Sequence, residues 1–150
     1  ALTIRRIEGG ILGNGTDITP DMTPFEAGLA PFVNMEKGDF IGRTALLKKE
    51  RQCCLFGLTC STETPAAGAR VFDSGTEVGR ITAGIPSPTL GLGIGYVHFN
   101  APGDWVGRTL AMRLPNGSLH DAQIVQPPFF DLDKKIVRGL DRSIPQRPAN

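Results

Sequence analysis

Nineteen glycines and twelve prolines punctuate these 150 residues. A chain that turns this often has little room for long helices and is driven toward short strands joined by tight turns. The turn chemistry concentrates between residues 53 and 126, at Asp73-Ser74-Gly75, Pro86-Ser87-Pro88, Ala101-Pro102-Gly103-Asp104 and Pro115-Asn116-Gly117. Between these turns the apolar residues follow a period of two, which predicts strands at 53–60, 68–72, 77–83, 92–99, 105–114 and 119–125. In the first, Cys54, Phe56, Leu58 and Cys60 alternate with Leu55, Gly57 and Thr59, and both sides are apolar, as in a strand covered on two faces. In the fifth, Val106, Arg108, Leu110, Met112 and Leu114 are expected on one face. Six short strands at this spacing predict a small antiparallel barrel or sandwich.

The first 52 residues carry helical signals instead. Ala1 to Glu8 reads as the end of a helix closed by Gly9-Gly10. Residues 13–22 are turn-forming. Thr23-Pro24-Phe25-Glu26 combines a cap, a first-turn proline and the glutamate of a capping box, so a helix is expected to start there. Asp39 is expected to cap a second helix running through Ile41 and Leu47 to Glu50. The fold class is therefore mainly β, with a short α-containing N-terminal piece. Pro127-Pro128-Phe129-Phe130-Asp131 follows the last strand, and a polar tail from Arg142 to Asn150 is expected to be disordered or to lie on the surface. The chain begins without Met, inside what reads as a helix, which suggests part of a larger protein.

Composition excludes several chemistries. The formal charge of +1 is far from that of a general nucleic-acid binder. No apolar run approaches the roughly 20 residues of a membrane span, and Ala1 to Arg6 lacks the apolar stretch of a signal peptide. Cys53, Cys54 and Cys60 are too few and too irregular for a disulfide framework. They read as reduced cysteines, with the cytoplasm as the natural compartment. Cys53 and Cys54 are adjacent, so on a strand they point to opposite faces and cannot share a metal. His98 and His120 have no ligand-spaced partners, and both read as structural. Gly91-Leu92-Gly93-Ile94-Gly95 resembles part of a dinucleotide fingerprint. A strand follows it, with no helix N-terminus to hold a phosphate, so a glycine-rich strand entry in a tight barrel explains it better.

Four stretches, in order, resemble the glycine-cleavage T-protein superfamily. They are Arg6-Ile7-Glu8-Gly9-Gly10; Thr23 to Leu29 followed by Lys37-Gly38-Asp39-Phe40-Ile41-Gly42-Arg43-Thr44-Ala45-Leu46; Glu77-Val78-Gly79-Arg80-Ile81-Thr82-Ala83-Gly84 followed by Ser87 to Gly91; and Pro127 to Lys135. Gly9 stands where the family usually has Ala, and Ala83 where it usually has Ser.

The resemblance implies that residues 1–52 are the tail of a folate-binding domain, that 53–126 form the family's six-stranded antiparallel barrel, and that 127–150 are a C-terminal extension. It implies a tetrahydrofolate cofactor and one-carbon transfer from a small methylamine or aminomethyl donor. A lipoyl carrier protein or a fused flavin domain are further partners it suggests, with no nucleic acid and no membrane. Glu8 matches a pteridine-binding carboxylate: one carboxylate can accept both the ring N–H and the exocyclic amine of a pterin edge. Arg43 matches a folate-site arginine that could hold a carboxylate bidentately. Arg80, expected to project with Val78 and Thr82, is a third cofactor-binding candidate, and Tyr96 reads as core or wall. No segment matches the surroundings of the family's catalytic Asp, so no catalytic residue is assigned. Two related readings stay open: the folate module of a flavin-dependent sarcosine or dimethylglycine dehydrogenase, suggested by Gly15 to Pro20, and a dimethylsulfoniopropionate demethylase. A non-enzymatic folate-binding module and a pure interaction module are alternatives.

Overall fold

The computed structural model describes residues 1–142. The expected polar tail lies outside the described residues apart from Arg142. Six antiparallel strands close into a barrel: β1 (Leu55–Cys60), β2 (Arg70–Asp73), β3 (Thr76–Ser87), β4 (Leu92–Phe99), β5 (Thr109–Arg113) and β6 (Leu119–Val125). Around the barrel the order is β1-β4-β3-β2-β5-β6, with β6 paired back to β1, so no sheet edge remains.

The turns do what their residues require. Ser74 and Gly75 both have positive φ, the signature of a two-residue type I′ hairpin, and Asp73 pairs with Thr76 across it. Gly117 supplies the left-handed residue after Pro115-Asn116 between β5 and β6. Phe56, Leu58, Val71, Ile81, Val97, Phe99, Met112 and Ile124 fill the interior. Burying each such side chain stabilises the fold by roughly 1.5–3 kcal/mol. Trp105 stacks on Phe99 with ring centroids 4.2 Å apart.

The glycines of β3 and β4 let the 63–65 segment lie against the strand backbones. A Cβ on Gly84 would stand 2.0 Å from the Pro65 carbonyl oxygen, and one on Gly93 would stand 2.3 Å from that of Glu63. The glycine-rich stretch at 91–95 is thus a packing surface.

β1 and β4 are apolar on both faces. Phe56 and Val97 point inward, whereas Leu55, Ile94 and Tyr96 face outward into a second cluster with Ile7. This outer cluster is covered by the N-terminal arm and by Phe129. The Phe129 ring sits over Gly57, where a Cβ would meet it at 2.8 Å.

Local readings are corrected at four places. Thr23 and Glu26 do form a reciprocal capping box (Thr23 N donates to Glu26 Oε2 at 2.7 Å and Glu26 N to Thr23 Oγ1 at 3.2 Å), but it closes a single turn. Gly28 at φ 72° ends that turn, and a short 3-10 turn, Ala30–Phe32, follows. The second helix, α2 (Arg43–Leu47), starts from Gly42 at φ 91° and not from Asp39. β5 begins only at Thr109, after Gly107 at φ 86°, so Val106 and Arg108 are exposed while Leu110, Met112 and Leu114 reach the core. Finally, β3 carries two register shifts, at Val78 and Thr82. Bulges reorient side chains, and Val78 packs against the core while Arg80 is exposed.

Candidate functional site

Glu8 ends the first helix, α1 (Leu2–Glu8). The helix stops in a Schellman motif: Gly10, at φ 73°, donates to the Ile7 carbonyl, and Ile11 N donates to that of Arg6 at 2.9 Å. A carboxylate in the last turn of a helix is disfavoured by the helix dipole, so its placement depends on tertiary partners. Glu8 Oε1 accepts from Ser87 Oγ at 2.5 Å and from Thr89 N at 3.4 Å. The Ser87 hydroxyl itself accepts from Leu90 N, so the β3–β4 turn orients it. From the other side, Phe129 N and Phe130 N both donate to the Glu8 carbonyl at 3.1 Å. Glu8 is 7% exposed. Its second oxygen, Oε2, takes no hydrogen bond among the described residues and is not sealed from solvent. It is an acceptor on a rigid mount.

A second carboxylate, one that the sequence reading left among turn residues, holds this mount. Asp17 is 1% exposed and accepts three bonds of 2.7 Å, from Arg6 Nη1, Gly13 N and Thr82 Oγ1. It ties α1, the 13–18 turn and the β3 bulge together. Tyr96 completes the attachment by donating to the Ile7 and Ile11 carbonyls at 3.3 Å. Burial, and then the charge of Asp17, push the Tyr96 phenol well above its ordinary range. Tyr96 is fully buried in the outer cluster. Asp17 carried no signal in the sequence, because its partner Thr82 lies 65 residues away.

The other two candidates stand apart from Glu8. Arg43 opens α2 and donates through Nε to the Met35 carbonyl at 3.2 Å. Its terminal nitrogens take no bond among the described residues. Arg80 lies on the barrel exterior opposite His98. No hydrogen bond or ion pair among the described residues connects Glu8, Arg43 and Arg80. Two cavities of about 260 and 410 Å³ open near residues 52–54 and Pro102, and none of the three candidates lines either. Cys53, Cys54 and Cys60 are free. Burial raises the pKa of Cys53 and of Cys54, which makes poor nucleophiles of them. Among the described residues no helix is long and apolar enough to cross a membrane.

His98 gives the domain a pH signature. Burial lowers its pKa from 6.5, the Arg80 charge adds to this, and Glu26 opposes it. The unfolded chain therefore takes up this proton first as the pH falls. The contribution of neutral His98 is intact above about 6.5 and is lost as the pH drops through the lower folded value. His98→Gln should flatten the decline in melting temperature between about pH 7 and 5. Melting curves for the variant that decline as steeply as the native ones would refute this assignment.

The architecture is a closed six-stranded antiparallel barrel with a carboxylate-bearing arm clamped to its outside. The chain belongs to the glycine cleavage T-protein C-terminal barrel domain family, whose model matches residues 51–131. It is 34% identical to an aminomethyltransferase of Streptomyces coelicolor, over 86% of this chain and 37% of that protein. It is 41% identical to an aminomethyltransferase of Aquifex aeolicus, over 63% of this chain and 27% of that protein. The crystal structure of the glycine cleavage system aminomethyltransferase T from Bartonella henselae superimposes with a TM-score of 0.73 at 31% identity, covering 85% of this chain and 37% of that one. The matched part of the chain thus spans between about a quarter and little more than a third of the length of these relatives.

Proposed function

We infer that this chain supplies the barrel and one wall of the folate site of a tetrahydrofolate-dependent aminomethyltransferase. Family membership and relatives bearing that name support the reading. The observation that carries it is the state of Glu8: a carboxylate fixed through Oε1, with Oε2 left as an acceptor. A pterin edge offers adjacent N–H donors, and the uncommitted lone pairs of Oε2 are the acceptors left for them. Arg43, with its terminal nitrogens uncommitted, is the partner proposed for a folate carboxylate. Arg80, the third candidate, lies on the barrel exterior opposite His98 and makes no bond to Glu8 or Arg43 among the described residues. On this reading residues 1–52 belong to the folate-binding domain, 53–126 are the barrel and 127–150 an extension. The donor is a small methylamine or an aminomethyl group carried on a lipoyl protein, and the compartment is the cytoplasm. The family's catalytic Asp belongs to the portion of the relatives that this chain does not match.

Glu8→Gln tests the role of the free oxygen. Glutamine keeps an oxygen for Ser87 Oγ and Thr89 N but replaces Oε2 by an amide donor. The fold should survive, and binding of 5-formyl-tetrahydrofolate, followed by calorimetry, should weaken at least tenfold, about 1.4 kcal/mol. The titration is run on the chain and on the chain fused behind the upstream two-thirds of the Streptomyces coelicolor relative. Unchanged affinity on Glu8→Gln in both the chain and the fusion, or no folate binding by the fusion, would sink the proposal.

A further inference from the structure

Three arginines and a histidine stand in one row across four neighbouring strands. Arg113 of β5 pairs with Arg70 of β2, Arg70 pairs with Arg80 of β3, and Arg80 pairs with His98 of β4. Directly opposed residues share a face. The flanking residues Val71, Ile81, Val97 and Met112 fill the core, so the row points outward. All three arginines are exposed and His98 is half-buried. At a strand pitch of about 4.8 Å the row is about 14 Å long.

Like charges directly opposed across strands destabilise a sheet, and this row is only partly compensated. Arg70 is paired with Glu77 at 2.6 Å. Arg113 lies over the Phe72 ring, 4.4 Å from its centroid, which orders the guanidinium without neutralising it. Arg80 and Arg113 have no carboxylate partner among the described residues.

We propose that the Arg113–Arg70–Arg80–His98 row docks an acidic helical segment of a partner protein. The row lies on the outside of a closed barrel, a convex surface that suits a macromolecular partner better than an enclosed small ligand. Glu77 and Asp73 flank the row, and the chain's net charge is only +1, which disfavours a phosphate backbone. A helix with carboxylates at i, i+4 and i+7 presents them about 5–6 Å apart, close to the strand pitch. Arginine ordered on an aromatic ring is a side chain that protein interfaces favour. This assignment is independent of the folate reading.

The probe is a synthetic helical alanine-rich peptide with glutamates at i, i+4 and i+7, titrated at low salt by fluorescence anisotropy. The double variant Arg80→Ala/Arg113→Ala should weaken binding about tenfold, whereas Lys37→Ala/Lys48→Ala, which removes two positive charges elsewhere, should change it less than about twofold. A peptide of the same composition with scrambled glutamates should bind more weakly. Equal losses in the two double variants, or equal binding of the scrambled peptide, would mean a diffuse field and overturn the proposal. Tighter binding of inorganic tripolyphosphate in competition with the peptide would overturn it in favour of a phosphate site. The arginines are exposed, so both variants are expected to fold, which melting curves recorded alongside the titration check.

Discussion

Asp17→Ala is expected to lower the unfolding free energy by about 3 kcal/mol, read as a drop in melting temperature of roughly 10 °C. The carboxylate has no exposed side-chain surface and three donors of 2.7 Å converge on it. Removing it leaves the part-buried Thr82 hydroxyl and Gly13 N–H without their acceptor, and the Arg6 guanidinium with only the Ile11 carbonyl. Unsatisfied buried groups cost about 1–3 kcal/mol each. Arg6 keeps 25% of its side-chain surface in water, so its share is reduced and the total stays near the lower end for a broken buried ion pair. Thr82→Val removes one donor and leaves the ion pair in place, so it should cost only about 1 kcal/mol. If the two variants proved equally destabilised, the Arg6–Asp17 pair would contribute nothing, and the three-way tie would not be what holds α1 to β3.

Gly84→Ala should be comparably damaging, at about 3 kcal/mol or with loss of soluble protein, for a purely steric reason. The added methyl would stand 2.0 Å from the Pro65 carbonyl oxygen, 2.6 Å from its carbon and 2.8 Å from its Cβ. Backbone cannot swing away as a flexible side chain can. Overpacking of this kind costs typically 1–3 kcal/mol, occasionally more. Gly38 is the matched comparison. Its φ is 92° and a methyl added there would meet nothing within 4 Å, so Gly38→Ala bears only the conformational cost, about 1 kcal/mol. Chemical denaturation of the pair separates the two effects. Equal midpoints would show that the 63–65 segment moves aside freely, and the close packing of Pro65 on the glycines would then have no energetic weight.

Much of the barrel was legible in the residues. Period-two alternation marks a strand whatever its partners, so all six strands appear near their expected positions, and Leu55 and Phe56 face opposite apolar layers as the double-sided pattern implies. Helix signals were less dependable because they are shared with turns. The Thr23–Glu26 capping box forms in full, yet Gly28 converts the segment into one closed turn. The expected face of Val78, Arg80 and Thr82 failed because bulges are set by pairing with other strands.

At the candidate site the division is similar. The sequence by itself determined the strand content, the turn positions, the end of α1 at Gly9-Gly10 and the resemblance that singled out Glu8, since each depends on residues within a few positions of one another. Only the tertiary structure decided the closure β1-β4-β3-β2-β5-β6, the hold of Ser87 on a carboxylate 79 residues earlier, the convergence of Arg6 and Thr82 on Asp17, and the alignment of four cationic or titratable side chains across the barrel. Those features come from strand register and barrel closure, which bring distant residues face to face and leave no trace in local spacing.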